Sequence, residues 1–198
     1  MNELQIVPAR TAFVAIDLQN MVVSRAVQPH TARSVVEHAA RIASALRARG
    51  GFIVWVRVAF SADGKDRPHP ICDQPWTPPR EIPADANELA PGLLVQPSDH
   101  LLTKRQWGAF YGTDLDLQLR RRGLTTIILG GIATNIGVES TARAAFELGY
   151  QQIFPEDAMS ALSAAAHENS MTGVFPRIGQ VRRTGEVLAA LGDAGMKG

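Results

Sequence analysis

The stretch Thr126–Tyr150, TIILGGIATNIGVESTARAAFELGY, decides the reading of this chain. It opens on the apolar run Ile127–Leu129, which the pair Gly130-Gly131 is expected to end. The period then changes. Ile136, Val138, Ala142, Ala145, Phe146 and Gly149 fall at helical spacing, with Glu139, Arg143 and Glu147 on the opposite face. A buried strand, a tight turn and a helix start are the expectation. In an open α/β sheet, the carboxyl end of a strand that feeds a helix is where ligands collect. The turn Gly130–Gly137 is therefore the expected floor of a site.

Working outward, strand and helix patterns alternate. Thr11–Ile16 and Phe52–Val58 are continuous apolar runs, the mark of strands buried on both faces of a parallel sheet. Thr31–Arg49 carries one apolar face (Val35, Val36, Ala39, Ile42, Ala43, Leu46) and stops at Gly50-Gly51. Leu101–Lys104, Gln151–Pro155 and Gly179–Arg182 read as further strands. Leu115–Arg122, Ala164–Val174 and Thr184–Leu191 read as helices, the last with Thr184 as N-cap. The expectation is an α/β protein with a mainly parallel six-stranded sheet, in one domain over residues 1–198. Ala59–Asp99 breaks the pattern. It holds eight of the twelve prolines and Trp76, with no sustained period, and a connection this long inside a compact domain is usually functional.

Composition excludes several classes. Hydrophobic residues make up 45% and charged residues 20%, with a net charge of +1, so no nucleic-acid partner is expected. Arg120-Arg121-Arg122 sits before Gly123, where cations complement a helix C-terminus. With Cys72 alone there is neither an internal disulfide nor a thiolate metal cluster. No apolar run approaches the roughly 20 residues of a membrane helix. MNELQIVPAR lacks a signal-peptide layout, so a cytoplasmic location is the expectation.

Three strand ends carry the chemistry-bearing residues: Asp17 in IDLQN, Lys104 in TKRQWGAFYGT, and the Gly130–Gly137 turn. Parallel strands bring them to one sheet edge. A carboxylate closing an apolar run is desolvated, which raises its pKa, whereas a nearby cation lowers it. Asp17 and Lys104 form a plausible acid/base or charge-stabilising pair. Trp107, Phe110 and Tyr111 follow Lys104 and read equally as pocket lining or as core.

IDLQN, TKRQWGAF and GGIATNIGVESTARAAFELGY together resemble the signature blocks of the isochorismatase-like hydrolases, the cysteine-hydrolase superfamily. The resemblance implies a Rossmann-like three-layer α/β/α fold, no cofactor, and assembly as a homo-oligomer, a dimer or larger. It implies an Asp–Lys–Cys set, matched at Asp17 and Lys104. The cysteine position falls on Gly137, and Cys72 lies outside every motif. The resemblance further implies a cis peptide between Ile132 and Ala133, with the amides of Ala133 and Gly137 forming an oxyanion pocket. Gln19, Ile132, Ala133, Thr134 and Asn135 join the aromatic trio as expected substrate contacts. Family metal sites use an Asp-x-His element after the second strand. Here Asp63, Asp66 and His69 lack that spacing, and no metal is expected. Three functions follow: a hydrolase of an enol-ether-like bond working without a cysteine, an amidase with another nucleophile, and a catalytically silent binder of small carboxylates. For a substitute hydroxyl such as Thr134, Ser140 or Thr141, the sequence shows no general base.

Overall fold

The computed structural model describes residues 4–74 and 81–192. Trp76 lies outside the described residues. Seven strands form one sheet in the order β3-β2-β1-β4-β5-β7, with a short β6 beside β4. They are β1 (Thr11–Ile16), β2 (Phe52–Val58), β3 (His100–Lys104), β4 (Thr126–Ile132), β5 (Gln151–Pro155), β6 (Met159–Ser160) and β7 (Gln180–Arg182). Every pairing is parallel. The expected count of six misses β6, because two residues are too few to carry a period.

Alternation along the strands sorts the core into two layers. Phe13, Ala15, Ile53, Trp55 and Ile128 face the helices Ala32–Arg47 and Thr184–Ala190. Ala12, Val14, Ile16, Val54, Ile127 and Leu129 face the helices Leu115–Arg121 and Glu139–Glu147. Side chains of period two on strands buried on both faces give this separation. Thr31 caps the first of these helices by accepting the Ser34 N–H at 3.1 Å.

Four local expectations are corrected. Gly130 and Gly131 do not end β4; they lie inside it, in register with Ala15 and Ile16 of β1. The glycines serve close approach: at Gly131, with φ of +121°, a Cβ would stand 2.1 Å from the Ile16 carbonyl oxygen. Phe146 is exposed rather than on the buried face of its helix, while Val138, Ala142 and Ala145 are buried as expected. Ala164–Val174 is not one helix: an α-helix over Ala164–Asn169 runs into a π turn over Ser170–Val174. Thr184 is not the N-cap of the final helix. Arg183 holds that place, with its N–H donating to Glu186 at 2.7 Å, and the Thr184 hydroxyl is drawn off to Asp157.

The long proline-rich connection is fastened along its C-terminal part. Gln19 pairs with Leu89, and Asp99 accepts from Arg47 and from the Trp55 indole N–H at 2.8 Å. Among the described residues no helix is long and apolar enough to cross a membrane.

Candidate active site

The strand order reverses between β1 and β4. The chain runs outward from β1 to β3, then returns to place β4 on the other side of β1. The crevice at such a switch point, beyond the carboxyl ends of the strands, is the standard ligand site of this architecture. Asp17 follows β1 directly, Lys104 is the last residue of β3, and the turn Thr134–Val138 follows β4.

Lys104 Nζ stands 2.8 Å from Asp17 Oδ2 and 3.0 Å from the Gln106 carbonyl oxygen. The pair is nearly dry: Asp17 is 7% exposed and Lys104 2%. Burial raises the Asp17 pKa from 3.8 to about 6, and Lys104 opposes that rise only in part. Asp17 Oδ1 is buried without a hydrogen-bond partner. The residue also has φ of +54°, a conformation few non-glycine residues adopt. A buried carboxylate with one oxygen committed, one uncommitted and a strained backbone has the profile of a reacting group.

Gly137 closes the other wall. A Cβ built there would lie 3.2 Å from Asp17 Oδ2, 3.4 Å from the Trp107 carbonyl oxygen and 2.8 Å from Ile16 Cγ2. The turn therefore delivers position 137 directly onto the Asp17 carboxylate, and Ile16 fills part of the room a side chain would take. The peptide Ile132–Ala133 is cis, and the Ala133 carbonyl accepts the N–H groups of Ile136 and Val138.

The other expected contacts divide. Ile132 is buried at the end of β4 in the core. Ala133 is half-buried and Asn135 exposed on the turn. Gln19 is fully buried, and its amide is committed to the backbone of Val58 in both directions and to Asn87. That places Gln19 in the scaffold that holds the proline-rich connection. Trp107 is 66% exposed and Tyr111 83% exposed, while Phe110 stacks on Tyr150 and packs on the core. The aromatic trio does not form one wall. Cys72 is exposed on the proline-rich connection. Asp63 and Asp66 are tied to Ser61, and Asp66 also accepts from Arg105 at 2.5 Å.

One cluster escaped the sequence reading. Thr134 is fully buried, and its hydroxyl meets His167 Nδ1 at 2.9 Å. His167 Nε2 is 3.5 Å from Glu156, which His30 Nε2 contacts at 2.6 Å. The base that the sequence could not supply for Thr134 is thus present, but the hydroxyl has no access to solvent. Burial holds the His167 pKa below its usual value despite the Glu156 carboxylate. These residues are far apart in the chain, and no periodicity or spacing links them.

Known proteins match this arrangement along nearly the whole chain. Residues 11–186 match the isochorismatase domain. The isochorismatase family protein YwoC of Bacillus subtilis is 52% identical over 189 residues, covering 95% of this chain and 97% of that one. An isochorismatase family protein from Burkholderia thailandensis is 44% identical, with a TM-score of 0.91 over 96% of this chain and all of its own length. A cysteine hydrolase from Pseudomonas syringae pv. phaseolicola is 26% identical, with a TM-score of 0.79 over 98% of this chain and 97% of that one. With the domain match, the identities and the shared parallel α/β fold all in agreement, the chain belongs to the isochorismatase family.

Proposed function

We propose that this protein is a hydrolase of a small enol-ether-like molecule that works without a cysteine nucleophile, with Asp17 as general acid. The family relationship supports a small-molecule hydrolase. The observation that carries the finer reading is the state of Asp17. A salt-bridged aspartate is ordinarily held below its usual pKa, which would make it useless as an acid near neutrality. Here burial outweighs Lys104, and a pKa of about 6 leaves roughly a tenth of the molecules protonated at pH 7. Proton transfer to carbon needs no nucleophile, which suits glycine at position 137.

In this mechanism the Asp17 carboxyl gives its proton to the terminal carbon of the vinyl ether, and positive charge develops at the ether carbon. The substrate carboxylate lies against Lys104 and the turn amides. Water adds to the ether carbon and returns a proton to Asp17. The resulting hemiketal then collapses to a ketone and an alcohol. Lys104 serves to keep Asp17 ionised after transfer, so that it can accept the returning proton.

The test is a screen of vinyl-ether carboxylates with wild type beside Asp17→Asn. Activity in the wild type should fall as pH rises through about 6, because the protonated form of Asp17 is the acid. Full turnover by Asp17→Asn would remove Asp17 from the chemistry. A carboxylate that binds and is recovered intact from the wild type would leave a binding protein instead.

A further inference from the structure

Three side chains outside the pocket meet behind the turn that carries Gly137. His30, Glu156 and His167 each offer a ligand atom, and these atoms all lie within 4.8 Å of one another. His167 Nε2, which faces Glu156 Oε1, is buried without a hydrogen-bond partner, and so is the other Glu156 oxygen, Oε2. An unsatisfied buried polar atom is costly, and such atoms are rarely retained without a use.

One of the two spacings is that of ligands rather than of a hydrogen bond. His167 Nε2 to Glu156 Oε1 is 3.5 Å, too long for a good hydrogen bond. Metal bonds of about 2.0–2.2 Å to a tetrahedral ion set neighbouring ligand atoms about 3.4 Å apart. His30 Nε2 lies closer, at 2.6 Å from Glu156 Oε1, and would retract by less than about 1 Å to share the ion. Arg183 approaches Glu156 Oε2 at 3.7 Å from an exposed position, from which it can swing into solvent.

The cluster is also built to hold still. The Ser160 hydroxyl donates to the His30 carbonyl at 2.8 Å, and Gln28 pairs with Ala161 in both directions. The turn bearing Glu156 is fastened at its next residue: His38 Nδ1 contacts the Asp157 carbonyl at 2.7 Å, and Thr184 donates to the Asp157 carboxylate. Ser163 caps the helix that carries His167. Thr134 engages His167 Nδ1, which leaves Nε2 directed at the cluster. A partner on the far ring nitrogen is how proteins orient a metal-binding histidine.

We propose that His30, Glu156 and His167 bind one divalent transition-metal ion of the zinc class, with Thr134 positioning His167. Two imidazoles and one carboxylate are a ligand set of that class, with a fourth position open to water. No metal is expected from the sequence, because Asp63, Asp66 and His69 lack the family spacing and spacing in the chain cannot bring residues 30, 156 and 167 together. Through Thr134 the ion would brace the turn that carries Gly137 from the side away from Asp17.

The probe is Co²⁺ added to the full-length protein, read by visible ligand-field absorption and followed by displacement with Zn²⁺. The expected result is one ion per chain, with tetrahedral-type intensity. His30→Ala and Glu156→Gln should each abolish the band, and Thr134→Val should weaken binding about 10–100-fold. Cys72→Ala with His69→Ala should leave the band unchanged. Circular dichroism checks that each variant folds, and Glu156→Gln, which keeps shape, decides the matter if His30→Ala does not. No band with Co²⁺ in excess, or a band that survives in folded His30→Ala or in Glu156→Gln, overturns the site.

Discussion

Two buried polar clusters flank the turn Thr134–Val138, and they differ in how the fold assembles them. At Gly137 the turn faces Asp17 and Lys104, which are delivered by the ends of β1 and β3. At Thr134 it faces His167, with Glu156 and His30 beyond, delivered by a helix, a 3₁₀ turn and a loop. The first cluster is a product of strand register. Parallel strands of similar length must end at the same edge, so residues that close apolar runs meet there. The second depends on how connections fold back over the sheet, which no periodicity encodes. Each cluster keeps unpartnered buried oxygen or nitrogen atoms: Asp17 Oδ1 in one, His167 Nε2 and Glu156 Oε2 in the other. One turn thus joins the proposed proton donor to the proposed metal-binding cluster.

The largest expected effect breaks the first cluster. Asp17→Asn should lower turnover on any vinyl-ether substrate found by about 10²–10⁴-fold, the range for a general acid. A loss smaller than tenfold would put the chemistry elsewhere.

A smaller effect is thermodynamic. The folded state raises the Asp17 pKa from 3.8 to about 6, so it binds this proton more tightly than the unfolded chain does. The stabilising contribution is complete below pH 3.8 and is lost as pH rises through about 6. Its size is about 3 kcal/mol. The unfolding free energy of wild type minus that of Asp17→Asn, from urea titrations between pH 4 and pH 8, isolates this group. The difference should fall by about 2–3 kcal/mol across that range, and a flat difference would mean that Asp17 titrates normally. Carboxyl-carbon NMR of the same residue gives the midpoint directly. In Lys104→Met that midpoint should move further up, because the cation that opposes burial is gone.

Gly137→Ala tests the wall between the two clusters. The added methyl meets Ile16 Cγ2 at 2.8 Å, so a side chain must shift. A loss of about 1–3 kcal/mol is expected in urea unfolding, the usual cost of overpacking. A neutral result would show that Ile16 can step aside and that position 137 could have kept a larger residue.

The smallest effect belongs to Tyr111. At 83% exposure it should tolerate Tyr111→Ala within about 0.5 kcal/mol. A raised KM with unchanged stability would return it to the substrate.

The aromatic trio shows where reading the chain alone reached its limit. Trp107, Phe110 and Tyr111 are neighbours in sequence, yet Phe110 turns to Tyr150 while the other two face solvent. Gln19 shows it again: a residue two beyond Asp17 is consumed by Val58 and Asn87 in fastening the long connection. Adjacency along a chain specifies neither side-chain direction nor hydrogen-bond partner once regular structure ends.

The family resemblance drew attention to Gly137; the α/β layering, the succession of the main strands along the chain and the Asp17–Lys104 pairing came from the residues themselves. Each rests on a local rule, either hydrophobic period or the common edge of parallel strands. The tertiary structure alone decided that β4 runs through its two glycines, that Gln19 belongs to the scaffold, and that His30, Glu156 and His167 share one point. It also decided the protonation of Asp17. Whether burial or Lys104 prevails at that carboxylate depends on how much water the packed strands exclude, and no stretch of sequence specifies that.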